Sequence, residues 1–166
     1  AISPEAGRVA LEEAGERPYE QATSHLRRHH SIRISKEFLE RLTQMVGQFW
    51  LDGDDAEREE SLRDKVIPLA EWRAQRCCVF ADGTMLPTDG EWHEVRVGTV
   101  CSTVGETTRK SSIARFLDVE HFGGELWRKA CQYGYAGAAL KAFLGDGSHW
   151  LWGIAELHFS QAVQIL

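Results

Sequence analysis

Long apolar runs are missing from this sequence. None approaches the roughly 20 consecutive apolar residues that a membrane span needs, so a transmembrane reading fails. The start lacks the basic, apolar and small-residue succession of a secretory signal. Cysteine is scarce and unpatterned: Cys77, Cys78, Cys101 and Cys131 include no CxxC pair and no Cys/His set at zinc-like spacing. Reduced, partly buried thiols in a cytosolic protein are therefore expected, not disulfides. Positive charge is in deficit, with 19 Lys and Arg against 25 Asp and Glu, a formal net charge of −6. A chain with that balance is a poor general binder of nucleic acid. A methionine start is also absent, and the chain stops at "AVQIL" within a strand-like pattern, so a fragment of a longer protein is expected.

What is present suits one compact core with a smaller appendage: 166 residues, 43% hydrophobic and 27% charged. Three regions follow from composition and periodicity. Residues 1–48 read as helical, 49–76 as an acidic linker and helix, and 77–166 as a sheet with helices. The charge is uneven across them. Residues 26–48 hold five basic and two acidic side chains, while 1–25, 49–76 and 77–166 are each net negative.

In the first region "SPEAGRVALEEAG" predicts a short helix capped by Ser3, with Pro4 at its first position and Gly15 just past its end. "RPYEQATSHLRRHH" predicts a second, with Ala22 and Leu26 on one face. "SIRI" is a non-helical joint. "SKEFLERLTQMVGQ" follows with Ser35 as N-cap and Phe38, Leu39, Leu42, Met45 and Val46 at helical spacing. Three short helices with a tight joint before a Ser-capped third resemble a helix-turn-helix unit. Arg27, Arg28, Arg33, Lys36 and Arg41 are then candidate DNA contacts, against the plainer reading of a solvated charged face. "LDGDDAEREESLRDK" reads as a linker running into a helix that ends near Pro68 to Arg76.

From Cys77 the period turns strand-like. "CCVFAD" and "WHEVRVGTVCSTV" predict antiparallel neighbours joined by a turn-rich loop, "GTMLPTDGE". In the second strand Val95, Val97 and Thr99 share one face and Arg96, Gly98 and Val100 the other. "GETTRKSSIARFLDVEHF" has no clean period and reads as containing a mobile loop. "GGELWRKACQYGYAG" predicts a helix burying Leu126, Trp127, Ala130 and Cys131. A buried strand "ALKAFLGD", a short helix "GSHWLWGIAEL" and a last strand "AVQIL" complete an α/β fold, a mixed sheet with helical crossovers.

Two strand-like runs each lead into Asp-Gly, at Asp82–Gly83 and Asp146–Gly147. Asp-Gly is a common turn, and either pair alone reads that way. In an open α/β sheet, however, functional groups gather at the carboxyl ends of strands. Two carboxylates there repel unless a cation compensates them, and an all-oxygen donor set selects a hard ion such as Mg²⁺ or Mn²⁺. Trp92, Trp150 and Trp152 flank the pair and read as wall or core residues. His93, His149 and His158 are not needed by such a site.

"CVFADGTMLPTDGEWHEVRVGTV" followed by "ALKAFLGDGSHWLWGIAELHFSQAVQIL" resembles the catalytic core of bacterial insertion-sequence DDE transposases of the Kra type, a group related to Mutator-like elements. The helical start is similar to the helix-turn-helix segment preceding that core. The resemblance implies an RNase H-like fold and metal-dependent cleavage and joining of DNA strands. It makes Asp82 and Asp146 the first and second catalytic, metal-binding acids, with Mg²⁺ or Mn²⁺ as cofactor. It implies a third acid, a glutamate, beyond Leu166; Glu156 does not match its position. Double-stranded DNA is the implied partner, at element ends and target, in the bacterial cytoplasm at the nucleoid. A homo-oligomer is compatible with this reading and a membrane is not. Two rivals stay open: a non-enzymatic helix-turn-helix regulator with an α/β partner or ligand domain, and an RNase H-like nuclease without strand transfer.

Overall fold

A computed structural model describes residues 2–64, 70, 72–88 and 90–165. They divide into two compact units, Ala1–Glu60 and Ser61–Leu166.

The first unit holds α1 (Pro4–Glu16), α2 (Tyr19–His29) and most of α3 (Lys36–Asp64). Ser3 caps α1 by accepting from the Ala6 N–H, and Ser35 caps α3 by accepting from the Phe38 N–H. Ala10, Ala22, Leu26 and Leu39 are fully buried at the centre, ringed by Val9, Ile32, Ile34 and Leu42. Three expectations change here. Gly15 lies inside α1, because the helix leaves through Arg17 in extended backbone (φ −142°, ψ 152°), the conformation a following proline imposes, and no glycine cap is needed. The third helix is not short: α3 runs 29 residues, straight into the stretch expected as an acidic linker and helix over 49–76. Its run of Ala, Glu and Arg favours helix and outweighs Gly47 and Gly53. Met45 points to solvent (63% exposed) instead of lining the core, which α3 meets only through its first turns. Of the helix expected near 68–76, Trp72–Gln75 are non-helical, and the remainder lies partly outside the described residues.

The second unit is an α/β sheet of five strands: β1 (Arg76–Thr88), β2 (Glu91–Val104), β3 (Thr107–Arg115), β4 (Leu140–Leu144) and β5 (Val163–Ile165). Their order is β3-β2-β1-β4-β5. β1, β2 and β3 form an antiparallel meander, and β4 and β5 run parallel to β1. Crossover helices α4 (Val119–Gln132) and α5 (His149–His158) connect β3 to β4 and β4 to β5. This is the mixed α/β sheet with helical crossovers expected from the sequence, with one strand more, β3, than the sequence indicated.

One face of the sheet is covered by the two helices. Cys77, Val79 and Ala81 of β1 pack there with Phe122, Leu126 and Ala130 of α4 and Leu151, Ile154 and Ala155 of α5. Gly98 of β2 sits under α4, where a Cβ would fall 2.6 Å from Leu126 Cδ1. Phe143 is fully buried, with the Phe159 ring 5.2 Å away and Trp152 beyond it. Burial pushes the Cys77 thiol up to about 12 and the Cys131 thiol to about 11, so these are inert core thiols. All four cysteines are free.

The strands differ from expectation in length. Asp82 does not end its strand: β1 continues through Asp82, Gly83 and the expected loop "GTMLPT", pairing Asp82 with Val97 and Thr88 with Glu91. β4 leaves β1 at Phe80, and β3 leaves β2 at Arg96. Past Gly83, then, β1 pairs with β2 alone, a two-stranded arm exposing Met85, Leu86 and Trp92. Of "GETTRK" only Gly105 and Glu106 form a turn; Thr107–Lys110 begin edge strand β3, and the Arg109 guanidinium lies 4.1 Å over the Trp72 ring. Its mostly polar side chains hid the strand period. β4 and β5 are less buried than their composition implies: only Phe143 of β4 is fully covered, and Val163–Ile165 are exposed.

Candidate active site on the open sheet face

Alternation along β1 sets the site. Odd-numbered residues from Cys77 to Ala81 face the helices, so Cys78, Phe80 and Asp82 face the opposite, uncovered side. Phe80 pairs with Leu144 of β4 and with Thr99 of β2, which brings their same-facing side chains together. Asp146 follows two residues beyond β4, just before α5. Gly145 makes that approach close. Leu151 of α5 comes so near that a Cβ on Gly145 would sit 2.8 Å from its Cδ1.

The result is a cavity of about 460 Å³ lined by Phe80, Ala81, Asp82, Val97, Thr99, Leu144, Gly145 and Asp146. The sequence-predicted aspartates, 64 positions apart, therefore line one concavity. Phe80, Val97 and Thr99 were not foreseen as its walls; once β1 and β2 are aligned, their period-2 alternation identifies them. Among the described lining residues there are two carboxylates and no basic side chain.

Each carboxylate is oriented locally. Asp82 Oδ1 accepts the Gly83 N–H at 2.7 Å. Asp146 Oδ1 accepts the Ser148 hydroxyl and the Ser148 N–H, the latter at 3.0 Å. These bonds, the hydroxyl first, hold the Asp146 carboxyl below the usual carboxylate range, so it is anionic at neutral pH. Gly147, at φ +88°, makes the turn between them. Replacing Ser148 by alanine is expected to raise the Asp146 pKa, read from its side-chain carboxyl carbon in an NMR pH titration. Because the folded value is depressed, the wild-type bonds stabilise the loop at higher pH and are lost as pH falls through that value. An unchanged Asp146 titration in Ser148→Ala would disprove this orientation.

A hard divalent cation fits this donor set. The lining supplies carboxylate oxygen from β1 and from the loop after β4, a hydroxyl oxygen in Thr99, and no nitrogen or sulfur side-chain ligand among the described residues. The flanking aromatics are placed unevenly. Trp150 is partly buried, edge-on to Phe122, with the Arg96 guanidinium 5.4 Å from its ring centroid. Arg96 in turn pairs with Glu94 and donates to the Leu117 carbonyl. Trp152 packs against the core, whereas Trp92 is exposed on the arm. His158 stacks on Trp127, and burial lowers its pKa, as expected of a packing residue. His93 meets Phe116 edge-on.

In the first unit Arg27, Arg28, Arg33, Lys36 and Arg41 are all exposed. Arg27 and Arg28 sit in the last turn of α2, where positive charge also complements the helix dipole. Lys36 and Arg41 lie in the first turns of α3, and Arg33 in the joint before it.

No helix among the described residues is long and apolar enough to cross a membrane. No protein-family model matches the chain, and no curated protein matches it.

Proposed function

We propose that this chain is part of a DNA transposase that cleaves and joins DNA strands with a divalent metal held by Asp82 and Asp146. One observation carries the reading: two anionic side chains, remote in sequence, line the same cavity with no basic residue among its described walls. Their positions, on β1 and just past the neighbouring parallel strand β4, agree with the resemblance. A bound Mg²⁺ or Mn²⁺ supplies charge stabilisation at phosphodiester oxygens and a nucleophilic water at neutral pH. The chain's own part is to hold the ion and orient it. Ser148 fixes the Asp146 carboxylate, the β1–β2 ladder fixes Asp82, and Phe80, Val97 and Leu144 give the site an apolar floor. The third acid is assigned to the downstream glutamate that the resemblance implies.

The DNA-binding role falls to the first unit. Converting Arg27, Arg28, Arg33, Lys36 and Arg41 to alanine together is expected to weaken DNA binding and to reduce its salt dependence, by roughly one unit of slope for each phosphate these side chains neutralise. Fluorescence anisotropy across a salt series reads both. An unchanged slope would assign these side chains to solvent.

The Ser148 bonds to Asp146 are also those of an ordinary Asx turn. That observation favours the alternative, a helix-turn-helix regulator without catalysis. Paramagnetic Mn²⁺ separates the two. The proposal requires the resonances of Asp82 and Asp146 to broaden together at low Mn²⁺; broadening of neither supports the regulator. Strand transfer is then tested by incubating protein that includes the downstream glutamate with element-end DNA and Mn²⁺ and looking for joined products. Cleaved but never joined DNA would indicate a nuclease.

A further inference from the structure

We infer that the helical unit carries a second metal site, separate from the aspartate cavity and selective for Zn²⁺, formed by Glu13, His25 and His30. Glu13 lies in the last turn of α1, His25 within α2, and His30 caps the C-terminus of α2. Their ligand atoms all lie within 4.8 Å of one another. Glu13 Oε2 is 2.9 Å from His25 Nδ1, and Glu13 Oε1 is 3.5 Å from His30 Nε2. Tetrahedral zinc, with bonds near 2.0–2.1 Å, sets its ligand atoms about 3.3 Å apart. The Glu13–His25 and Glu13–His30 pairs are already close to that spacing.

Two further observations point to an ion rather than a chance cluster. His25 Nδ1 is sealed from solvent and makes no hydrogen bond, despite the nearby carboxylate oxygen. A buried ring nitrogen that faces a carboxylate without hydrogen-bonding it is costly, and a metal shared with that carboxylate would satisfy both. The Glu13 side chain is only 12% exposed, so it is held in place rather than waving in solvent. Arg17 Nη1 touches its Oε2 at 2.6 Å. With zinc on the same carboxylate, that guanidinium becomes the outer hydrogen-bond partner that orients a ligating group. The His29 ring packs against His25, centroids 4.2 Å apart and tilted by 32°. Three protein ligands leave the fourth position to water.

Donor chemistry separates the two sites. Imidazole nitrogen suits zinc, whereas the oxygen-only cavity suits Mg²⁺ or Mn²⁺. The role is structural. The fully buried core of this unit is two alanines and two leucines, and such small cores commonly require a staple. The ion would tie α1 to α2 across the Arg17–Pro18 turn.

The intact chain, freed of metal by chelation, is titrated with Zn²⁺ by calorimetry and with Co²⁺ by visible absorption. One equivalent of Zn²⁺ is expected, with a d–d spectrum of four-coordinate Co²⁺ and a raised thermal midpoint that EDTA reverses. Glu13→Gln and His30→Ala should each weaken Zn²⁺ binding by at least about tenfold, while His121→Ala and Asp82→Asn leave it unchanged. Far-UV circular dichroism of the metal-free variants checks that the helices persist; if Glu13→Gln unfolds, exposed His30 still decides. Absence of one-equivalent binding, undiminished binding in His30→Ala, or an equal loss in His121→Ala overturns the site. Because Asp82→Asn reports only on the other cavity, either metal reading can fail without the other.

Discussion

Asparagine in place of Asp146 is expected to cost at least about tenfold in Mn²⁺ affinity and to abolish metal-dependent cleavage wherever the protein cleaves DNA, with DNA binding retained. The substitution keeps shape and size, and the side-chain amide oxygen can still accept from Ser148, so the loop before α5 should hold. What changes is charge. The cavity would fall from two anions to one, and a hard cation bound by oxygen depends on that charge. Asp82→Asn should behave alike, and the double variant should lose little more than either single one, because both act on a single ion. Calorimetric Mn²⁺ titration of the four proteins is the measurement. Additive, independent losses would mean that the carboxylates do not share a cation, and retained cleavage in Asp146→Asn would remove Asp146 from the chemistry.

Phe143→Ala is expected to destabilise the sheet unit by about 3–5 kcal/mol, the usual cost of deleting a fully buried phenyl ring. Phe143 sits on β4 with no exposure, against the Phe159 and Trp152 rings, and both partners are carried by α5 and its C-cap, which cannot collapse into the gap without moving the helix. Since β4 leads directly to Asp146, the same variant should also weaken Mn²⁺ binding at temperatures where it remains folded. Denaturant unfolding followed by tryptophan fluorescence gives the first quantity. A loss below about 1 kcal/mol, typical of sites that repack, would mean that this cluster is not the centre of the core.

Much of this architecture was legible in the residues. Cap residues Ser3 and Ser35 and the apolar spacing of Ala22 and Leu26 located the helices. The two Asp-Gly runs located both acids that line the cavity. What escaped were boundaries set by partners rather than by local sequence. Gly83 reads as a turn, yet it pairs with Arg96, because the β1–β2 ladder continues past it. Thr107–Arg115 looks aperiodic, since an edge strand needs burial on only one side and only Ile113 is buried. The long α3 carries glycines and acids that read as a break, yet its described residues from Gln48 onward are mostly exposed, where a helix tolerates them. The Glu13–His25–His30 cluster was invisible because its members come from two helices whose packing brings them together, at a spacing no zinc motif prescribes.

The paired extension of β1 and β2 beyond Gly83 has its own implication. Two strands alone are marginal in water, whereas the five-stranded body is held by a core. Asp82 stands one rung inside the last that β3 supports, Gly83–Arg96–Arg115, so its placement is inherited from the body and not from the protrusion. The tip around Gly90 is thus a replaceable module: evolution, or an engineer, can retailor what it touches while the carboxylate at its base keeps its address.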